Sequence, residues 1–195
     1  MPEIKKYSSI EFGSVSQTGR EKEHYEEFSG HFETINGHVF VICDGVGNNQ
    51  ISGTVAAKTA VNSIGEYFRN KQYKNPLKAL YNSMLFANYK LFTQSQKYKK
   101  FEGTGTTIVV ALISNQKVYY AYVGDSRLYL LKKGDLQRLT KDHTLAQSLL
   151  AEGKITAEEA EHHRDKNTLT NILGISKELK FSICKNPIDL KDDDT

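Results

Sequence analysis

The chain of 195 residues is poor in the features that mark special environments. It has two cysteines, too few for a disulfide framework, and both lie in apolar, strand-like runs. Cys43 and Cys184 are therefore expected to be plain buried thiols. It has three prolines and no low-complexity tract, which argues against long disordered segments. No apolar run reaches the roughly 18 residues of a membrane span. The opening MPEIKKYSSIEF lacks the apolar centre of a signal peptide, so a cytoplasmic location and no membrane partner are expected. His31, His38, His162 and His163 have no zinc-like spacing with cysteines. Gly45 and Gly47 begin a G-x-G-x-x-G pattern that fails at Gln50, which excludes a dinucleotide loop. No nucleic-acid-binding motif is present.

Acidic residues are also missing from one stretch. Between Glu66 and Lys100 there are eight Lys/Arg and a single acid. That is a solvated helix face, or a surface that attracts acidic or phosphorylated partners.

The apolar pattern supplies an order of elements. Ile10–Val15 and Phe28–Ile35 read as strands. Val39–Cys43 (VFVIC) is a continuous apolar run, expected to be a strand buried on both faces. After the loop DGVGNNQISG, Ala57, Val61, Ile64 and Phe68 recur at helical spacing. A second helix starts near Pro76, with Leu77, Leu80, Tyr81, Met84 and Leu91 as its apolar stripe. Thr106–Ile113 and Val118–Val123 form a hairpin, and Arg127–Leu131 is expected to pair on to it. Leu145–Glu152 reads as a helix ended by Gly153, and Thr156 with Glu159 is a capping box. Phe181–Cys184 reads as one last strand. Strands, two helices and then strands with short helices predict an α+β fold around an antiparallel sheet.

Two acids follow buried runs directly. Asp44-Gly45 comes after VFVIC, and Asp125 after VYYAYVG. A carboxylate where a buried strand surfaces suits a hard, oxygen-loving cation such as Mg or Mn, and the Gly45 carbonyl is a further donor. Two such ions activate water and steady a phosphoryl group. Arg20, in a polar loop, has the fork geometry to grip a phosphate. Each also has a plainer reading: Asp-Gly is a common turn, Asp125 can pair with Arg127, and Arg20 can be a surface charge.

Four stretches in order, VFVICDGVGNNQISGTVAAKTA, GTGTTIVVALI, YVGDSRLYLLKKGDLQRLTKDHT and LLAEGKITAEEAEHHRDKNTLTNILG, resemble the metal-dependent type 2C protein phosphatases (PPM family) in their bacterial form. The resemblance implies two packed antiparallel β-sheets flanked by helices, an α-β-β-α sandwich. It implies hydrolysis of phosphoserine and phosphothreonine in phosphoproteins with two to three Mn or Mg ions. By position it implies that Asp44 bridges two metals, that the Gly45 carbonyl binds one, that Asp125 holds a third and that Arg20 binds the phosphate. The family's Asn-Glu-Asp falls on Glu23-His24-Tyr25, where His24 is a doubtful metal ligand. The family places two further acids beyond the position of Thr195. The expectation is thus a single domain over 1–195, incomplete at its C-terminus, with its last strands missing. Reduced metal occupancy, weak or absent activity and self-association through unpaired sheet edges are expected with it. The alternative is a non-catalytic pseudophosphatase that binds phosphoproteins.

Overall fold

The computed structural model describes residues 10–17, 26–47, 50–69, 71–191 and 194–195. Its elements are β1 (Glu27–Thr34), β2 (Gly37–Val46), α1 (Gln50–Arg69), α2 (Pro76–Lys97), β3 (Gly105–Thr106), β4 (Ile108–Ser114), β5 (Lys117–Val123), β6 (Tyr129–Lys132), β7 (Asp135–Arg138), α3 (Leu145–Ala151), α4 (Ala157–His162), β8 (Ser182–Ile183) and β9 (Ile188–Asp189). The fold is α+β. A seven-stranded antiparallel sheet runs β1-β2-β4-β5-β8, with β3 also paired to β2 and β9 to β5. A second sheet contains β6 and β7.

One face of the large sheet is sealed by the helices. Val39, Val41, Cys43, Val110 and Leu112 meet Ala57, Val61, Ile64 and Phe68 of α1 and Leu80 and Met84 of α2 in one apolar cluster. The i, i+3, i+4 spacing of these helical residues produces the stripe that burial requires. α2 starts cleanly because Asn75 Oδ1 accepts from Lys78 N at 3.0 Å and Pro76 occupies the first turn. The capping box of α4 closes as its sequence predicts, with Thr156 N donating to Glu159 Oε2 and Glu159 N to Thr156 Oγ1.

Four local expectations are corrected. Ile10–Val15 is not a strand; Phe12 instead packs on His31 and Phe40. β2 is buried on one face only: Val39, Val41 and Cys43 point into the core, but Ile42, on the opposite face, is 53% exposed. A continuous apolar run does not reveal which alternate residues lack a cover. Tyr81 leaves the α2 stripe, because helical rotation carries it away from buried Leu80 to the outer surface. Arg127–Leu131 does not extend the hairpin; β6 pairs with β7, so the chain leaves the large sheet at Gly124. Thr195 adds to that second sheet, its N–H donating to Leu131 O at 2.9 Å. Among the described residues β1 pairs with β2 alone and is an edge of the large sheet. Cys43 and Cys184 are both buried free thiols, as expected. Among the described residues no helix is long and apolar enough to cross a membrane.

Candidate active site

Asp44 lies where β2 changes partners. Ile42 is opposite Val109 of β4, while Gly45 is opposite Thr106 of β3. Between them Asp44 faces Thr107, and the ladder is modified there. Thr107 N donates to Asp44 O at 2.8 Å, but Asp44 N donates to the Thr107 hydroxyl at 3.1 Å. The Thr106 hydroxyl also donates to Asp44 O, at 2.9 Å. The backbone carrying the Asp44 carboxylate is therefore held at both its N–H and its carbonyl.

Asp125 follows β5 on a corner fixed from two sides. Gly124 adopts φ +96°, and a Cβ there would lie 2.6 Å from Thr107 Cγ2. Only glycine accepts both the conformation and the contact. On the other side Gly124 N donates to His143 Nδ1 at 3.2 Å, and His143 N donates to Gly124 O at 2.9 Å. With Nδ1 accepting, the ring proton sits on Nε2, which donates to Ser182 Oγ at 3.0 Å. The His143 ring also stacks on Tyr122. Burial lowers the His143 pKa, with Asp142 opposing. Arg127 pairs with Asp142, at 2.9 Å, and Arg138 pairs with the same carboxylate, so Asp125 is not the partner of Arg127. Among the described residues the half-buried Asp125 carboxylate makes no hydrogen bond or ion pair.

Thr107 connects the two acidic corners. Its hydroxyl accepts from Asp44 N and lies 2.7 Å from Ser126 Oγ. Cys43, next to Asp44, is fully buried, and that burial pushes its thiol pKa up, which removes it as a nucleophile.

A third acid meets Gly45 across the β1–β2 ladder. Gly45 N donates to Glu26 O at 2.9 Å, one rung beyond the Glu27–Asp44 pair. The first turns of α1 press on this rung: a Cβ on Gly45 would come 2.1 Å from Gly53 O. A Cβ on Gly53 would come 2.9 Å from Glu26 Oε1 and 3.2 Å from Gly45 O. The Glu26 carboxylate and the Gly45 carbonyl thus border one small space kept open by a helical glycine. Sequence reading missed Glu26. The available signal was the pair Glu26-Glu27 at the start of β1: two residues further along, Tyr25-Glu26-Glu27 supplies the acid pair that Glu23-His24-Tyr25 lacks. Arg20 and His24 lie outside the described residues. Among the described residues no three His, Cys, Asp or Glu side chains converge as a metal cluster. What the corner offers is oxygen donors on glycine-lined backbone, the donor set that Mg and Mn accept.

The model of the family described as Protein phosphatase 2C matches residues 6–149. The chain belongs to the protein phosphatase 2C family. It is similar to protein phosphatase PhpP of Streptococcus pneumoniae, with 30% identity over 88% of this chain and 70% of the relative. Among solved structures it is similar to the serine/threonine phosphatase PstP/Ppp of Mycobacterium tuberculosis, with TM-score 0.81 and 25% identity over 92% of this chain and 73% of that one. A PstP catalytic domain in complex with 2 manganese ions has TM-score 0.76 and 25% identity over 92% and 72% of the two chains. The α+β fold and the family expected from the quoted motifs are thereby established.

Proposed function

We propose that this member of the protein phosphatase 2C family hydrolyses phosphoserine and phosphothreonine in phosphoproteins, with Mn or Mg held by Asp44, the Gly45 carbonyl and Glu26. Asp125 serves a further, more peripheral ion, and Arg20 takes the substrate phosphate. The observation that carries this reading is the corner at Gly53, where Glu26 Oε1 and Gly45 O border one space beside Asp44. The expectation of weak or absent activity rested on His24 and Tyr25 and on two family acids placed beyond the position of Thr195. Glu26 and Glu27, one on each rung beside Gly45 and Asp44, remove the first of these reasons.

Uncatalysed phosphomonoester hydrolysis is among the slowest of biological reactions, and positioned charge is what the protein must supply. Bound at these oxygens, Mn or Mg supplies a water of lowered pKa and neutralises phosphoryl charge. The residues of the chain supply placement. The ladder bonds from Thr106 and Thr107 hold the Asp44 backbone, so its carboxylate need not be ordered at each turnover. Glycine at 45 and 53 lets oxygen atoms approach where side chains would fill the space.

The test is hydrolysis of a phosphothreonine peptide by residues 1–195 with Mn, alongside Mn titration by calorimetry. Turnover lost in Asp44→Asn, and Mn affinity reduced at least tenfold in both Asp44→Asn and Glu26→Gln, are expected. Saturable binding of the phosphopeptide with no turnover at any Mn concentration would overturn the catalytic reading in favour of a pseudophosphatase. Unchanged Mn affinity in Glu26→Gln would remove Glu26 from the site.

A further inference from the structure

The outer face of α2 is unlike the rest of the surface. From Arg69 to Phe101 the chain has eight Lys/Arg and no acid. The remainder has 18 Lys/Arg against 23 acids, a net charge of −5. All eight cations are exposed, and among the described residues Lys90 alone has a carboxylate partner, Glu66 at 3.3 Å. Apart from Lys90 they flank α2 in sequence: Arg69, Lys71, Lys74 and Lys78 at or before its start, Lys97, Lys99 and Lys100 at its finish. At 1.5 Å per residue these ends are about 33 Å apart.

Between them runs an apolar ridge. Tyr81, Leu85 and Tyr89, at i, i+4 and i+8, are 46%, 38% and 65% exposed. Residues four apart form a continuous ridge that a second helix packs against through its own grooves. Along one side lies the Leu169–Lys180 segment. It is tied to α2 by Asn88, whose Nδ2 donates to Ser176 O and whose Oδ1 accepts from Gly174 N. Tyr81 rests on Phe181 there, which anchors the end of the ridge. That border carries one acid, Glu178, between Lys177 and Lys180.

The geometry points to this face as the docking site for an acidic amphipathic helix of another protein, with acids at both ends and apolar side chains every fourth residue between them. Charge complementarity selects the occupant. A second copy of this chain would bring the same cations, seven of them without a carboxylate partner among the described residues, against themselves, which disfavours an isologous dimer through α2. Tyrosine, an amphipathic anchor enriched in protein interfaces, supplies two of the three exposed ridge residues. One leucine and two tyrosines form a shallow apolar surface, better matched to a helix than to insertion among lipid chains. The site is remote in sequence from Asp44 and Asp125, and its occupancy is read without catalysis, so its failure is distinct from failure of the phosphatase reading.

The probe is a labelled 22-residue helical peptide with glutamates at both ends and leucine at every fourth central position, followed by fluorescence anisotropy with the full chain. Saturable binding is expected, weakened at least tenfold by raised salt, by Leu85→Ser with Tyr89→Ser, and by Lys74→Glu with Lys78→Glu and Lys97→Glu. Circular dichroism checks that each variant keeps its helices. Absence of saturable binding overturns the proposal. So does equal binding of a peptide with lysines in place of the glutamates, since charge would then play no part. Co-sedimentation with phosphatidylserine vesicles but no peptide binding overturns it in favour of a lipid surface.

Discussion

The Thr107 hydroxyl lies 2.7 Å from Ser126 Oγ while accepting a hydrogen bond from the backbone N–H of Asp44. Either hydroxyl can give the proton of that contact, so one hydrogen-bonded chain joins Asp44 N, Thr107 and Ser126. Asp44 and Asp125 stand 81 positions apart in sequence, yet one side chain, 1% exposed, holds the turn of each.

The first prediction follows from that link. Thr107→Val keeps the shape but removes the hydroxyl, leaving Asp44 N–H buried without its partner. A loss of roughly 1–3 kcal/mol in stability is expected by urea denaturation. Thr107→Ser keeps the hydroxyl and should retain most of that stability and the wild-type Mn affinity, whereas the valine variant should bind Mn more weakly. Equal Mn affinity in all three proteins would show that the link does not position the carboxylates.

A second prediction separates stability from metal binding. Gly53 sits in the first turns of α1, where alanine favours the helix by roughly 0.5–1 kcal/mol. Its Cβ, however, would come 2.9 Å from Glu26 Oε1 and 3.2 Å from Gly45 O. The flexible carboxylate yields more readily than the backbone. Gly53→Ala should therefore melt within a few degrees of wild type while its Mn affinity by calorimetry falls about tenfold. A large drop in melting temperature instead would mean that the α1–β2 contact cannot absorb the methyl group.

Much of this site was legible in the sequence, and the residues show why. Asp44 and Asp125 could be read because each ends a buried run, a local pattern. Glu26 was signalled only by its acid pair with Glu27; its place beside Gly45 depends on the register that sets Glu27 opposite Asp44, and register is a relation between two strands. The same limit applies to β6: four residues of strand-like pattern do not say which neighbour they pair with, and here the partner is β7. For Ile42, burial depends on what covers the far face of the sheet. Arg127 found Asp142, 15 residues on, where its own neighbour Asp125 was the simpler expectation.

The last prediction concerns pH. His143 is held neutral in the folded chain, its pKa lowered by burial, with Nδ1 accepting from Gly124 N. A group whose folded pKa lies below its unfolded value binds fewer protons when folded. Its contribution to stability is complete above the unfolded value of 6.5 and is lost as pH falls through the folded value. Protonation also converts Nδ1 from acceptor to donor, so it opposes the Gly124 N–H and loosens the corner that carries Asp125. Urea denaturation of the wild type should show stability falling below about pH 6. His143→Gln, which does not titrate in this range, should be less stable at pH 7.5 but show a shallower fall. Parallel pH profiles for the two proteins would mean that other groups, chiefly carboxylates, carry the acid sensitivity and that His143 keeps its neutral form throughout.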